Sequence, residues 1–162
     1  TACCCSASQS PNAWPLPRNQ AVSATPLSPA QREAAIVERY AIIPDPQERL
    51  SAIIARKSPL PGIPPEERQP EYLVPGCQSR VWIIPTMVDG RCHLQVEAES
   101  AMVRGLVNTL CELYHQATPA EIVEHEPTLF EALGIARNLT PTRLNGLAAV
   151  TAYVQNFARK QL

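Results

Sequence analysis

Apolar residues recur along much of the chain at the spacing of one face of an α-helix. The clearest stripe lies between residues 103 and 114, and weaker stripes run through 36–43 and 144–158. The members of the clearest stripe are Val103, Leu106, Val107, Leu110, Leu113 and Tyr114. Because such positions lie on one side of a helix, the pattern predicts helices that pack one apolar face into a core.

Prolines mark the places where these helices begin. A capping residue followed at once by proline precedes four of the predicted helices, at Ser28, Asp45, Thr118 and Thr140. Proline suits the first helical position because the amide there has no intrahelical partner. The combined pattern predicts helices over 29–43, 46–57, 100–116, 119–125 and 141–160, with a short helix near 127–133.

A different pattern occupies residues 79–98. Residues 79–88 are rich in Val, Ile and Trp, Asp89-Gly90 is a two-residue turn signal, and residues 91–98 alternate apolar and polar side chains. The pattern predicts a hairpin with Cys92 in the core. Trp82 and Ile84 then fall on the more polar face, either beneath another element or as an apolar patch.

Residues 59–76 contain six prolines and separate the first two helices from the hairpin. Two helices are too few to form a core alone, so this segment is interpreted as an extended crossing inside one domain. A short third strand is expected at 72–74, beside the hairpin. The predicted fold class is therefore α+β, with a small antiparallel sheet of about three strands packed against several helices.

Composition narrows the classes of partner. The chain has 162 residues, with 14 Lys and Arg against 15 Asp and Glu. This balance leaves no basic excess for a nucleic-acid backbone, and no apolar run is long enough to span a membrane. We therefore expect neither nucleic acid nor a membrane as a partner.

The first 27 residues differ from the rest of the chain. They contain no Asp or Glu, one basic residue (Arg18), and much Ala, Ser and Pro. Such a segment buries too little apolar surface to offset its ordering entropy, which predicts a disordered tail over 1–27 before a domain over 28–162. The cysteine usage favours a reducing, cytoplasmic location. The acid-poor tail also suits the remnant of a plastid transit peptide, so that location stays open.

The six cysteines fall into three kinds of setting. Cys3, Cys4 and Cys5 are adjacent in the tail, while Cys92 and Cys111 lie on or beside apolar faces and are expected in the core. Cys77 instead lies in a loop, after Pro75 and Gly76 and three residues before Arg80. A loop cation favours a thiolate, so Cys77 is the candidate nucleophile, with a spare loop thiol as the plain alternative.

Arg143 breaks a local rule at the start of the last predicted helix. It occupies the third helical position after Thr140, where a cation opposes the positive end of the helix dipole. Such exceptions often lie at functional sites. Two interpretations remain open: an anion site for a thiolate or persulfide, and a surface ion pair with a carboxylate.

The segment around Cys77 closely resembles the active-site segment of SufE-type cysteine desulfuration proteins. Residues 72–82 carry the resemblance with the sequence YLVPGCQSRVW, and it continues in order and spacing over about residues 30–160. The later matches are Arg104-Gly105-Leu106, Tyr114, Thr118-Pro119, Glu121-Ile122, Leu139 to Arg143 and Asn145-Gly146-Leu147. The chain departs from the family at 97–101 and 45–48, two places expected to affect partner surfaces.

The resemblance implies a fold shared with U-type iron–sulfur scaffolds, and a function. Cys77, with Arg143 as the second site residue, would take persulfide sulfur from a pyridoxal-phosphate-dependent cysteine desulfurase. It would stimulate that enzyme and deliver the sulfur to an iron–sulfur cluster scaffold complex. The chain would need no cofactor or metal of its own, since pyridoxal phosphate belongs to the desulfurase. It would be a transfer partner rather than a stand-alone enzyme, as a monomer or weak homodimer.

Three other functions compete with sulfur transfer: a metal-binding scaffold, a thiol-redox protein, and a purely structural adaptor, which would tolerate Cys77→Ser. A metal-binding scaffold would hold zinc or iron with Cys77, Cys92 and Cys111. A thiol-redox protein would need a resolving cysteine beside Cys77, and the sequence places none there. Bound metal in the purified protein would distinguish the first of these alternatives.

Overall fold

The computed structural model describes residues 25–162, which form six α-helices and a two-stranded antiparallel sheet. The elements in chain order are α1 (Pro29–Ala41), α2 (Pro46–Ala55), β1 (Val81–Val88), β2 (Arg91–Ala98), α3 (Ala101–Tyr114), α4 (Pro119–Glu124), α5 (Leu129–Ala132) and α6 (Pro141–Arg159). Each predicted helix is present, and its ends lie within two residues of the prediction. The α+β class is likewise confirmed. Residues 1–24, which include Cys3–Cys5 and most of the predicted tail, lie outside the described residues.

The four proline-marked helices begin as the capping pattern predicts. Ser28 and Thr118 form full capping boxes, because each accepts a backbone N–H while a Gln or Glu side chain returns to the cap residue. Asp45 and Thr140 each accept the backbone N–H of the third helical residue. These bonds satisfy amides that have no partner inside the helix, and they set where α1, α2, α4 and α6 start.

The hairpin has the register that its turn predicts. Val88 pairs with Arg91 and Met87 with Cys92, while Asp89 and Gly90 form the turn with positive φ angles of 49° and 74°. The inward face of β2 is buried at every second residue and packs against α3. Helix α3 also contacts α1, α2 and α6, so its apolar stripe is the centre of the core.

The crossing segment covers one end of the other face of the hairpin, at Trp82, but does not add a third strand. The expected strand at 72–74 is reduced to a single bridge between Leu73 and Trp82. Two prolines explain the correction: Pro70 begins a 3₁₀ turn that ends at Tyr72, and Pro75 has no N–H to extend a ladder. The segment nevertheless covers Trp82, which is buried, with the Arg68 guanidinium 5.7 Å from its ring centroid.

Glu97 on β2 forms ion pairs with both the crossing segment and α3. Arg68 and Arg104 both reach the carboxylate of Glu97, at 3.6 and 2.6 Å. Arg104 also donates to the Ala98 carbonyl.

None of the helices in residues 25–162 is long and apolar enough to cross a membrane.

Candidate functional site

The loop that carries Cys77 is held between a short bridge and the first strand. The Val74 N–H donates to the Val81 carbonyl at 2.8 Å, which ties the loop to the start of β1. After Pro75 the chain turns through Gly76, whose φ of +88° favours glycine over other residues. After this turn Cys77 lies beside the first turns of α6.

The Cys77 thiol is half-buried beside α6. Its Sγ donates to the Gly146 carbonyl at 3.4 Å. The same side chain lines a pocket of about 100 Å³ between the loop, α3 and α6. The pocket residues are Cys77, Gln78, Ser79, Val103, Leu106, Val107, Thr142, Arg143, Gly146 and Leu147. The pocket is therefore largely apolar, with polar groups from the loop and the start of α6.

This environment favours the neutral thiol. Burial raises the pKa of the Cys77 thiol above its ordinary value. The hydrogen bond to the Gly146 carbonyl acts in the same direction, because a carbonyl oxygen accepts from a thiol and repels a thiolate. The expectation that a nearby cation raises the thiolate fraction is not supported in this conformation.

Arg80, the cation that the sequence places three residues after Cys77, is directed elsewhere in the structure. It is exposed, it does not line the pocket, and its side chain pairs with Glu99 at 3.2 Å. Its charge is therefore already paired and screened by water. Sequence spacing placed Arg80 near Cys77, but the strand direction after Ser79 carries its side chain towards Glu99.

Arg143 lies on the pocket wall with Cys77, at a distance of 66 positions along the chain. Its backbone N–H donates to the Thr140 hydroxyl at 3.3 Å, and its side chain is exposed. Within residues 25–162, no carboxylate lies within ion-pair distance of its guanidinium. The surface ion pair considered from the sequence is thus absent from the described part of the chain, and the cation is available to an anion at the pocket.

The other two described cysteines lie in the core, as their positions on apolar faces predict. Cys92 and Cys111 are both 0% exposed, and neither lines the Cys77 pocket. Burial raises the pKa of Cys92 to about 12 and that of Cys111 further still. The described residues contain no group of three His, Cys, Asp or Glu side chains arranged to hold a metal ion.

Gly146 is a pocket residue that the sequence patterns did not single out as functional. Its carbonyl accepts the thiol hydrogen bond, and the position of its absent Cβ faces Cys77 Sγ at 3.5 Å. The available signals were its place in the Asn145-Gly146-Leu147 match and its position inside a long predicted helix, where glycine costs helix stability. Thr142 and Leu147 likewise join the pocket only through the tertiary fold.

Comparison with known proteins supplies the family. A family model described as "SufE: Fe-S metabolism associated domain" matches residues 34–158, which include both sides of the pocket. The chain belongs to the SufE family. A solved structure of similar fold is the solution structure of a hypothetical protein from Thermus thermophilus, with a TM-score of 0.66 and 22% sequence identity. The match covers 83% of this chain and 96% of that one.

Membership of the SufE family confirms the resemblance found in the sequence and associates the chain with Fe–S metabolism. The T. thermophilus structure supports the fold alone, at that level of identity. The SufE match spans the Cys77 loop, α3 and the start of α6, so the residues that build the pocket all lie inside the family domain.

Proposed function

We propose that this chain is a sulfur carrier that accepts sulfur on Cys77 from the persulfide of a cysteine desulfurase. The observation that carries the proposal is the position of Cys77. It lies in a glycine-turned loop, at a pocket shared with Arg143, while the other described cysteines are enclosed in the core. Membership of a family associated with Fe–S metabolism supports the same function.

The transfer is a thiol–persulfide exchange in which atoms and electrons balance. The Cys77 thiol loses its proton to solvent or a partner base, and the thiolate attacks the terminal sulfur of the donor persulfide. A bond forms between Cys77 Sγ and that sulfur while the sulfur–sulfur bond of the donor breaks. The donor cysteine leaves as a thiolate and takes up a proton, so no external oxidant or reductant is needed.

The resting geometry implies that the loop changes before transfer. Burial and the Gly146 carbonyl both favour the thiol, whereas the exchange needs the thiolate. Release of that hydrogen bond, as the loop lifts from α6, would remove both effects together. Docking of the desulfurase supplies a reason for the release, and stimulation of the desulfurase follows because its persulfide is removed in each cycle.

The carried sulfur would then pass to an iron–sulfur cluster scaffold complex. Pyridoxal phosphate, which supports release of sulfur from cysteine, belongs to the desulfurase, and this chain contributes the acceptor thiol. The chain is on this account a transfer partner and activator, not a stand-alone enzyme, in a reducing compartment such as the cytoplasm or a plastid.

The competing metal scaffold meets a geometric objection. Cys77 lies at the α6 pocket, and Cys92 and Cys111 lie inside the core with no exposed surface. Zinc or iron would need all three deprotonated at one point, and burial raises the pKa of each thiol. The described structure therefore favours sulfur transfer over a three-cysteine metal site.

Stimulation of a desulfurase tests the proposal. Sulfide release from L-cysteine is measured with a purified pyridoxal-phosphate-dependent cysteine desulfurase, alone and with this chain. We expect wild type to stimulate and Cys77→Ser to return the rate to that of the desulfurase alone, with an unchanged melting temperature. Cys92→Ala is the matched control: it should melt earlier because it leaves a core cavity, yet still stimulate. Full stimulation by Cys77→Ser would overturn the proposal.

A further inference from the structure

Gly146 stands inside α6 although neither the backbone nor the packing requires glycine there. The helix runs from Pro141 to Arg159, and Gly146 is not among the glycines with positive φ. Glycine in a helix interior is unfavourable relative to alanine because it loses more conformational freedom on folding. A structural reason for it must therefore come from its neighbours.

Gly105, the other glycine inside a described helix, is required by close packing of two helices. A Cβ built on Gly105 would lie 2.8 Å from the Cα of Ile54, so that glycine is required for α2 and α3 to approach. A Cβ on Gly146 would meet only ordinary contact distances, 3.5 Å from Cys77 Sγ and 4.0 Å from Cys77 Cα. A methyl group fits beside the resting thiol.

A methyl group on residue 146 would contact Cys77 and, in particular, its sulfur. Outside its own helix neighbourhood, both atoms within 4 Å belong to Cys77, and the nearer one is the sulfur. Gly146 and Cys77 both line the pocket, whose apolar wall includes Val103, Leu106 and Leu147. A free volume of methyl size therefore lies directly against the reactive atom.

We propose that Gly146 keeps this volume free for the outer sulfur of a Cys77 persulfide, which makes it a positioning residue for the carried sulfur. The inference rests on the proposed function. A sulfur atom is about the size of a methyl group and would lie about 2.05 Å from Sγ. A methyl group at residue 146 leaves the thiol undisturbed but competes with that added sulfur.

Gly146→Ala separates this role from the hydrogen bond, since alanine keeps the backbone carbonyl that accepts from the thiol. Wild type, Gly146→Ala and Ala148→Ser are each incubated anaerobically with sodium tetrasulfide, and separately with a desulfurase and L-cysteine. The fraction of the Cys77 peptide that carries an extra sulfur is measured by mass spectrometry. Ala148→Ser is the matched control, because Ala148 is exposed on α6 and lines a different groove.

We expect Gly146→Ala to raise the melting temperature by about 2–4 °C, because it removes a helix glycine. We expect it to lower persulfide occupancy of Cys77 by about tenfold in both incubations, since overpacking beside the added sulfur is unfavourable. Ala148→Ser should match wild type.

Equal occupancy in wild type and Gly146→Ala would overturn this inference and leave the sulfur-carrier function standing. A lowered melting temperature of Gly146→Ala would overturn the premise that a methyl group fits. An equal loss of occupancy in Ala148→Ser would overturn the claim that the effect is specific to residue 146. Failure of wild type to take sulfur from the desulfurase would contradict the proposed function instead, and the tetrasulfide incubation would still decide the role of Gly146.

Discussion

The Cys77 side chain meets three different surroundings within one pocket. A backbone carbonyl accepts its thiol, apolar side chains of α3 and α6 surround it, and Arg143 lies at the exposed rim. The first two keep the sulfur neutral and shielded when the loop is closed. The third offers a charge to an anionic sulfur or to an acidic partner when the loop opens.

Arg143→Ala is expected to separate transfer from stability. The side chain is exposed and has no carboxylate partner in residues 25–162, so its loss should change the free energy of unfolding by less than about 0.5 kcal/mol. The pH profile of Cys77 alkylation should stay as in wild type, because burial is the cause of the raised thiol pKa. Sulfur acceptance from the desulfurase should fall by about tenfold if one charge-assisted contact is lost.

Arg80→Ala is the matched control for that experiment. Arg80 is also an exposed arginine near Cys77, but it pairs with Glu99 and does not line the pocket. It should retain most of the acceptor activity. An equal loss in both variants would show a general need for positive charge on this surface, and full activity of Arg143→Ala would remove Arg143 from the site.

At the scale of elements, the close crossing of α2 and α3 sets the position of the pocket wall. Gly105 lies at that crossing, and α3 continues from there to the pocket residues Leu106 and Val107. Displacement of α3 would therefore change both the packing of the core and the shape of the pocket. The two helical glycines predict opposite effects of the same substitution.

Gly105→Ala should destabilise the protein. The new Cβ would lie 2.8 Å from Ile54 Cα and 3.2 Å from the Ile53 carbonyl oxygen, and a backbone cannot yield as a flexible side chain can. Overpacking of about 1–3 kcal/mol outweighs the helix-propensity gain of about 1 kcal/mol. The urea midpoint should therefore fall, whereas that of Gly146→Ala should rise. Equal shifts of the same sign would contradict the packing described here.

The end of α3 predicts a pH dependence of stability. Burial, followed by the neighbouring His93 and Arg32, lowers the pKa of His115 to about 4. An unfolded histidine has a pKa of about 6.5, so the unfolded chain binds a proton that the folded chain excludes. The stability contributed by neutral His115 is therefore complete above about pH 6.5 and is lost progressively as the pH falls towards 4.

His115→Asn should weaken that dependence. Nδ1 of His115 accepts the Leu94 N–H at 3.2 Å, and an asparagine oxygen can take over the acceptor without titrating. Melting temperatures recorded between about pH 4 and 8 should fall less steeply on the acid side for this variant than for wild type. Parallel curves would show that His115 does not account for the acid sensitivity.

At the scale of the whole molecule, the features predicted correctly were those that depend on residues close together in the sequence. Helix starts followed from capping residues and prolines, and the hairpin register followed from Asp89-Gly90. The third strand was wrong because two prolines leave only Leu73 and Val74 extended. The domain limits stay a prediction for the tail, since residues 1–24 lie outside the described part.

The candidate site was predictable only in part, because its two sides come from distant parts of the chain. The loop setting of Cys77 and the misplaced charge of Arg143 were visible as local exceptions. Their meeting at one pocket, the acceptor carbonyl of Gly146 and the pairing of Arg80 with Glu99 depend on tertiary packing. Spacing along a sequence does not carry that information without the fold.

The most direct test of the central claim is to locate the transferred sulfur. The whole chain is incubated with a cysteine desulfurase and L-cysteine, its persulfides are trapped by alkylation, and each cysteine peptide is weighed by mass spectrometry. The account predicts one additional sulfur on the peptide of Cys77 and none on those of Cys92 or Cys111, with all labelling lost when L-cysteine is omitted. Sulfur on another cysteine, or none on Cys77 while the desulfurase turns over, would contradict it.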